Sequence, residues 1–215
     1  TYMHVNTLVD QKKQPTVEYI NFDSPLDPEW NYLRNPVEEN YLLDTIKGKI
    51  RLRGDSISLD KPFGRPTLLA RRQKDLQMET TIQLRYNPEA YGEEAGLTAF
   101  MNHKNYLSIS LINIGPDKKI RFTSRNGYMK NIITEGTYNS DSVQLKIKAN
   151  KEEYEFLYSS DGKEWKSLGK QEAKYLSSEV AGGFTGVYLG IYATGNGIRT
   201  NTEAIFDWFR YETEL

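Results

Sequence analysis

The sequence predicts an all-β fold, a two-sheet antiparallel β-sandwich of the jelly-roll kind. Short segments of alternating apolar and polar residues follow one another along most of the 215 residues. Turn sequences such as "IGPDKK", "SRNG" and "SSDGKEW" separate these segments, and no long helical pattern lies between them. We favour a sandwich over a closed barrel because the predicted strands are uneven in length.

In chain order, residues 1–16 are polar and show no sustained period, which is typical of a linker or tail. A single sandwich domain is therefore predicted over residues 17–215, with Trp30 as an early core residue. The predicted strands then follow in "KIRLRGDSISL", "LQMETTIQLRY", "AGLTAFMN", "NYLSISLINI", "KKIRFTS", "SVQLKIKAN" and "EYEFLYSS".

Two of these strands show their inward faces plainly. The first alternates Ile50 and Leu52, and the pattern continues through Ile57 and Leu59. The second places a run of residues on one parity: Leu76, Met78, Thr80, Ile82, Leu84 and Tyr86. Near the end of the chain, "GVYLGIYA" is more evenly apolar and predicts a central strand. The segment "QEAKYLSSEV" before it is the one plausible helical turn.

The amino-acid composition argues against some classes of partner. There are 28 basic and 29 acidic residues without long blocks of one sign, and the isoelectric point is about 6.2. This balance argues against nucleic acid or an anionic membrane as a partner. The mean hydropathy is −0.67, and no apolar run approaches the roughly 20 residues of a membrane span. Because the chain begins at Thr1, we expect a processed or truncated product.

The residue types also exclude several kinds of catalytic site. The chain has no cysteine and two histidines, so a thiolate site, a nucleophilic triad or a zinc site is not expected. His103 in "MNHKNY" is interpreted as a solvated turn residue between strands. Glu93 and Glu94 are neighbours that would point to opposite faces of a strand, and a solvated loop is favoured for both. Glu79 is predicted to be exposed, and no catalytic pair of carboxylates is expected.

Trp165 and the two aspartates Asp23 and Asp207 are further candidate binding residues. Trp165 in "SSDGKEW" is interpreted as a core residue after a hairpin turn, with sugar stacking as the alternative. Jelly-roll sandwiches often bind calcium near their termini through oxygen ligands. If the strands near "NFDSP" and "IFDWFRY" pair, Asp23 and Asp207 could bind one calcium ion. The alternative is two exposed or capped aspartates.

The stretch "VAGGFTGVYLGIYATGNG" places Phe184 between the pair Gly182-Gly183 and the single Gly186, just before a predicted strand. A core phenylalanine would normally lie within a regular element, where packing fixes its rotamer. Glycines on both sides instead indicate a protruding loop that carries the ring to a chosen place.

Several segments recur in order between about Phe22 and Tyr211: "SPLDPEWNYLRNP", "GRPTLLARRQ", "YGEEAGLTAFMNHKNYLSISL", "YSSDGKEWKSLG", "YLSSEVAGGFTGVYLGIYATGNG" and "AIFDWFRYE". Together they resemble the C-terminal domain of family 43 glycoside hydrolases of the β-xylosidase and α-arabinofuranosidase type. The resemblance implies a concanavalin A-like sandwich that follows a five-bladed propeller carrying the catalytic carboxylates.

The resemblance also implies roles for individual residues. In such enzymes the loop matching "GGFTG" reaches the propeller, so Phe184, with Thr185 beside it, would close the substrate pocket. The alternative is that Phe184 packs under its own loop. In "LLARRQ", Arg71 and Arg72 point to opposite faces, and one of them is expected at the propeller interface.

The function expected from the sequence is a non-catalytic accessory domain of a xylan-degrading glycosidase, because 215 residues leave no room for a propeller. Its partners would be that propeller and a xylo- or arabino-oligosaccharide. The alternatives are a free-standing carbohydrate-binding module for xylan or a related glycan, and a structural sandwich without a ligand. A periplasmic or extracellular location is slightly favoured over a cytoplasmic one.

Overall fold

A computed structural model describes residues 15–182 and 186–213 of the chain. The described residues form two antiparallel sheets and little helix, which confirms the predicted all-β sandwich. The strands are β1 (Val17–Ile20), β2 (Asn31–Tyr32), β3 (Tyr41–Asp44), β4 (Lys49–Arg53), β5 (Thr67–Arg72), β6 (Met78–Arg85), β7 (Glu94–Asn102), β8 (Asn105–Asn113), β9 (Lys118–Asn126), β10 (Met129–Thr137), β11 (Ser142–Ala149), β12 (Glu153–Ser159), β13 (Lys166–Glu172), β14 (Tyr188–Thr194) and β15 (Glu203–Thr213).

Each sheet combines strands from distant parts of the chain. The first sheet has the order β13-β12-β11-β6-β15-β4-β3, and β1 also pairs with β15. The second sheet has the order β10-β9-β8-β7-β14-β5-β2. The neighbouring strands pair antiparallel in both sheets. The predicted central strand is confirmed, because β14 pairs with β5 on one side and β7 on the other.

The predicted helical turn is also confirmed. A 3₁₀ turn at Ala173–Leu176 leads directly into a short helix, α1, at Ser178–Ala181. A second 3₁₀ turn lies at Glu38–Asn40. Within the described part of the chain, no helix has the length and apolar character needed to cross a membrane.

The main core fills the space between the two sheets, as the alternating pattern requires. Phe122 of the second sheet stacks on Phe156 of the first, with ring centroids 4.3 Å apart. Trp30 is buried as predicted and makes a T-shaped contact with Phe209, with ring centroids 5.1 Å apart. These aromatic contacts join strands that are far apart in sequence, so the core fixes how the sheets lie on each other.

A smaller apolar cluster lies on the outer face of the second sheet. Leu59, from the irregular segment 55–66, is buried against side chains whose parity points away from the main core: Leu68, Ala70, Phe100, Tyr106 and Tyr192. The segment 55–66 therefore covers part of this face.

Two details of the predicted strands are wrong. β4 ends at Arg53, so Ile57 and Leu59 lie outside any strand, although Leu59 is buried. Leu76 precedes β6 and is exposed, whereas Met78 and the later residues of its parity are buried. β1 begins at Val17, but residues 1–14 lie outside the described ranges. The assignment of residues 1–16 as a tail therefore stays a prediction.

Candidate functional site

The candidate site is the end of the sandwich where the chain passes from α1 to β14. Phe184 and Thr185, the predicted pocket residues, lie in the segment 183–185, which is outside the described residues. The structure does describe both flanks of this segment, from Ser178 to Gly182 and from Gly186 onward. Those flanks show how the body of the domain holds the base of the loop.

Hydrogen bonds anchor the flanks to the second sheet. The Asn102 side-chain amide donates to the Ala181 carbonyl at 3.0 Å, and the Gln73 backbone N–H donates to the Val187 carbonyl at 2.9 Å. Gly182 then leaves the helix with φ 71° and ψ 162°, a backbone conformation that only glycine adopts readily. The base of the loop is thus fixed at both ends, and the glycine turns the chain out of the helix.

Arg71 and Arg72 divide as their parity predicts. Arg71 is buried and pairs with the carboxylates of Glu18, at 2.8 Å, and Glu29. The Lys74 ammonium and then the Arg71 guanidinium hold the pKa of Glu29 below its usual range. Arg72 is exposed instead and lies against Gly186, where an added Cβ would stand 3.0 Å from a guanidinium nitrogen. Arg72 is therefore the arginine that stands beside the loop.

A charged cleft of about 680 Å³ lies next to the loop base. The apolar residues Leu176 and Val187 form part of its lining. The rest of the lining includes basic and acidic side chains: Arg72, Lys74, Lys151, Lys174, Asp75 and Glu179. Asp75 accepts a hydrogen bond from the Tyr211 hydroxyl at 3.2 Å. The cleft thus offers charges of both signs beside the loop.

An apolar groove of about 240 Å³ lies on the outer face of the second sheet at the same end. Its lining is dominated by aromatic and aliphatic side chains, including Tyr32, Leu33, Phe100, Met101 and Tyr188. Tyr32 is 41% exposed and is the edge-strand member of this group. Sequence reasoning missed this groove, although the evenly apolar "GVYLGIYA" already placed apolar residues on both faces of β14.

The buried glutamates differ from the prediction. Glu79 was expected to be exposed, yet it is buried and accepts from Lys146 at 2.7 Å and Lys148 at 2.6 Å. Burial alone would raise the pKa of Glu79, but the two lysines outweigh it, and the pKa is lowered. Lysines on the neighbouring strand β11 compensate the charge, and this makes burial tolerable.

Glu93 and Glu94 are buried as well, so their placement in a solvated loop is wrong. They do point in opposite directions. Glu93 accepts hydrogen bonds from Thr200 and from Thr202, the latter at 2.8 Å, whereas Glu94 accepts from Tyr192 at 2.5 Å. Neither carboxylate faces the other, and both are saturated with donors from the chain.

Burial alone would raise the pKa of Glu93. The hydroxyls of Thr200 and Thr202 and the backbone amides of Glu89 and Ala90 donate to its carboxylate and outweigh that effect, so the pKa is lowered. Glu93 is therefore a structural carboxylate that remains charged, and its environment is unlike that of a general acid, which needs a raised pKa.

Asp23 and Asp207, the predicted calcium ligands, both contact other side chains. β1 and β15 do pair, but Arg85 and Lys49 bind the Asp207 carboxylate at 2.6 and 3.4 Å. Asp23 accepts from the Asn21 amide at 2.8 Å. Among residues 15–182 and 186–213, no group of three or more His, Asp or Glu side chains could hold a metal ion. Asp207 is already neutralised, so this donor set fits Ca²⁺ poorly, and calcium at Asp23 and Asp207 stays a prediction.

His103 and Trp165 both lie in connections between neighbouring strands. His103 lies in the turn between β7 and β8, as predicted, and burial together with Lys104 lowers its pKa. Trp165 follows the β12–β13 turn but is only half-buried and lies outside the main core. The Lys146 ammonium lies 4.3 Å from the centre of its ring, so Trp165 covers the first sheet at its surface.

Comparisons with known proteins agree with this architecture. Residues 20–212 match the family described as the β-xylosidase C-terminal concanavalin A-like domain. The chain is 29% identical to the non-reducing end α-L-arabinofuranosidase BoGH43B of Bacteroides ovatus, over 85% of this chain and 34% of the relative. It is 30% identical to xylosidase/arabinosidase 43B of Humicola insolens, over 88% of this chain and 37% of the relative.

Solved structures give the same result. The crystal structure of the GH43 protein BlXynB from Bacillus licheniformis superposes with a TM-score of 0.85 at 29% identity. That match covers 91% of this chain and 39% of BlXynB. The chain therefore spans between a third and two fifths of the length of these relatives.

Proposed function

The chain belongs to the family of β-xylosidase C-terminal concanavalin A-like domains, and on this basis we propose that it is a non-catalytic accessory domain of a family 43 glycoside hydrolase. In this proposal a five-bladed propeller supplies the catalytic carboxylates. The sandwich stabilises the propeller and contributes Phe184, with Thr185 beside it, to the substrate pocket. The substrate class is a β-1,4-xyloside or an α-L-arabinofuranoside, hydrolysed at a chain end.

One observation carries the proposal: the base of the Phe184 loop is fixed, and the apolar groove beside it is not covered by any of the described residues. Asn102 and Gln73 hold the two flanks through backbone carbonyls. A ring delivered from a fixed base can cover a sugar face and exclude water at a defined place, which lowers the entropic cost of forming the pocket.

The apolar groove beside the loop supports a propeller as the partner. Tyr188 lies in this groove two residues after Gly186, so the groove and the loop would meet the same partner surface. A surface that joins aliphatic and aromatic side chains is typical of a protein interface. Arg72, exposed beside the loop, could then form a bidentate pair with a propeller carboxylate.

A free-standing carbohydrate-binding module is the second candidate. Such a module usually needs an open sheet face with exposed rings, because flat aromatic side chains stack on sugars. Here the segment 55–66 covers part of the outer face of the second sheet, where Leu59 buries Tyr106 and Tyr192. This cover disfavours that face as a polysaccharide platform, so the accessory role is preferred.

The proposal is tested with the enzyme that carries this domain behind its propeller. Phe184→Ala should lower kcat/KM for 4-nitrophenyl β-xyloside or α-L-arabinofuranoside by about tenfold or more, because an open pocket admits water and loses contact with the sugar. Ile46→Ala is the matched control, since Ile46 is 96% exposed in the turn between β3 and β4. Equal activity of the Phe184→Ala enzyme and the parent enzyme would contradict the pocket role.

The isolated 215-residue chain provides a second test. It should show no turnover of either nitrophenyl glycoside, because the proposal places the catalytic carboxylates in the propeller. Turnover by the isolated chain, retained through purification to homogeneity, would overturn the accessory role.

A further inference from the structure

A second cleft lies at the opposite end of the sandwich from the Phe184 loop. It is bounded by the loop 86–93, between β6 and β7, and by the loop 195–202, between β14 and β15. Strand β14 begins at Tyr188 beside the Phe184 loop and ends at Thr194 beside this cleft. Its seven residues separate the two ends by roughly 20 Å at about 3.3 Å per residue. A ligand in this cleft would therefore lie far from the Phe184 loop, which we propose to contact the propeller.

The size of the cleft suits a small ligand or a short polymer segment. Its volume is about 650 Å³, within the roughly 300–1,000 Å³ typical of ligand sites. We call it the end cleft.

The buried carboxylates tie together the two loops that form the end cleft. Glu93, at the end of the first loop, accepts from Thr200 and Thr202 of the second. The Asn196 side-chain amide returns from the second loop to the Gly92 carbonyl at 2.8 Å and to Glu94 at 2.9 Å. These hydrogen bonds cross between loops more than 100 positions apart in sequence, so both walls are held in place before any ligand arrives. A preorganised cleft loses little conformational entropy on binding.

The lining offers an exposed aromatic ring beside polar groups that have no hydrogen-bond partner among residues 15–182 and 186–213. Tyr91 lines the cleft and is 72% exposed, and Ile198 of the other loop is 63% exposed. The side-chain amides of Asn87 and Asn201 line the same cleft and are exposed to solvent. The Arg85 Nε atom is buried at the lining without a hydrogen-bond partner among the described residues. A tyrosine offers a flat apolar face, and amides both donate and accept hydrogen bonds.

The charges around the end cleft are compensated within the chain. Arg85 pairs with Asp207 at 2.6 Å, and Glu203 pairs with Arg53 at 2.6 Å and Arg51 at 3.0 Å. A phosphate or a basic peptide would need an uncompensated counter-charge, and these ion pairs leave little of one.

The ion pair between Arg199 and Glu39, and that between Asp141 and Lys118, extend this compensation. Glu89 is the one exposed carboxylate of the lining that has no ion pair among the described residues. A neutral ligand rich in hydroxyl groups suits the end cleft best. Its hydroxyls can bond both the donors and the acceptors of the lining amides, and its sugar ring can lie on the flat face of the tyrosine.

We propose that the end cleft binds a segment of a neutral oligosaccharide, with Tyr91 stacking on a sugar ring and Asn87 and Asn201 bonding its hydroxyls. The site does not depend on Phe184 and remains accessible when the other end of the sandwich meets a propeller. It would hold a polymer chain near the enzyme while hydrolysis takes place elsewhere.

The test uses the 215-residue chain and isothermal titration with xylohexaose, cellohexaose and mannohexaose. The wild type should bind at least one of them at concentrations up to about 1 mM, and Tyr91→Ala should weaken that binding about tenfold. Tyr128→Ala is the matched control. Tyr128 is 83% exposed in the turn between β9 and β10. At this turn the end of β9 pairs with the beginning of β8, so Tyr128 lies at the Phe184 end of the sandwich and away from the end cleft.

The melting temperature of each variant should equal that of the wild type, because both tyrosines are exposed. Amide resonances of Gly92 and Asn196 should shift on titration of the wild type. Absence of binding to all three probes, unchanged affinity of Tyr91→Ala, or loss of affinity in Tyr128→Ala instead would each overturn the proposal. None of these outcomes concerns turnover by the propeller-bearing enzyme, so the accessory role can fail or stand separately.

Discussion

Buried carboxylates are the residues at which this domain departs most from its sequence pattern. Glu79, Glu93 and Glu94 occupy strand positions or a strand boundary, where alternation and charge predict exposure. Each is buried because partners from another part of the chain reach it: lysines of β11, threonines of the 195–202 loop, or Tyr192 of β14. A buried charge is tolerated only when such donors compensate for lost water.

The first prediction follows from the hydrogen bonds of Glu93. Its pKa in the folded chain lies below its ordinary value of 4.5. Its stabilising contribution is therefore complete above pH 4.5 and is lost as the pH falls through the lower, folded-state pKa. Glu93→Gln should lower the free energy of unfolding at pH 7 by about 1–3 kcal/mol, because two hydroxyls and two amides lose a charged acceptor.

Urea unfolding at pH 7 and pH 3 measures this effect. The difference between the variant and the wild type should be smaller at pH 3, because the unfolded wild-type chain binds a proton at Glu93 below pH 4.5 and this opposes the contribution of the charged carboxylate. A difference that stays constant between the two pH values would show that the charge of Glu93 is not what stabilises the loops.

At the scale of elements, β14 is the strand that connects the two candidate sites. This strand is central in the second sheet, begins at the Phe184 loop and ends at the end cleft. Its sequence is evenly apolar because both of its faces are buried. Leu189 and Ile191 lie in the main core, and Tyr192 lies in the outer cluster. A single strand thus links the two candidate sites rigidly.

Close packing between strands gives the second prediction. An added Cβ at Gly96 in β7 would stand 2.0 Å from the Ile109 carbonyl oxygen of β8, whereas an added Cβ at Gly136 in β10 would meet nothing within 4 Å. Gly96→Ala should therefore lower the free energy of unfolding by about 2 kcal/mol or more, since backbone must shift. Gly136→Ala, the matched control, should change it by less than about 1 kcal/mol.

Thermal or urea unfolding of the two variants measures this difference in the free energy of unfolding. Equal stability of Gly96→Ala and Gly136→Ala would mean that β7 and β8 can separate locally at low cost. The close approach of these strands would then not be needed for the second sheet.

At the scale of the whole molecule, the terminal strands close the sandwich. β1 pairs with β15, so residues near the two ends of the described chain lie side by side in the first sheet. The calcium prediction belongs to this scale, because an ion bound by Asp23 and Asp207 would join these segments. The same segments are already joined by the β1–β15 pairing, while the ion pairs of Asp207 connect β15 to Lys49 of β4 and Arg85 of β6.

Chelation tests the calcium prediction. If Ca²⁺ is bound, EDTA should lower the melting temperature of the wild-type chain, and excess calcium should restore it. Asp23→Asn should remove this response, because it takes one charged ligand from the ion. An unchanged melting temperature on chelation would reject calcium at Asp23 and Asp207.

The fold and the family could be predicted from the sequence because both depend on local sequence patterns. Alternation, turn residues and the ordered motifs from Phe22 to Tyr211 specify strands and their succession without knowledge of what each strand touches. The position of the Phe184 loop before β14, and the opposite orientations of Arg71 and Arg72, follow from the same local rules.

Only the tertiary structure decided which polar groups are buried and where clefts form. Glu93 meets Thr200 and Thr202, and Gly92 meets Asn196, because two loops more than 100 residues apart in sequence converge at one end of the sandwich. Burial and counter-charge depend on such non-local contacts, and a pattern of period two along one strand carries no information about them.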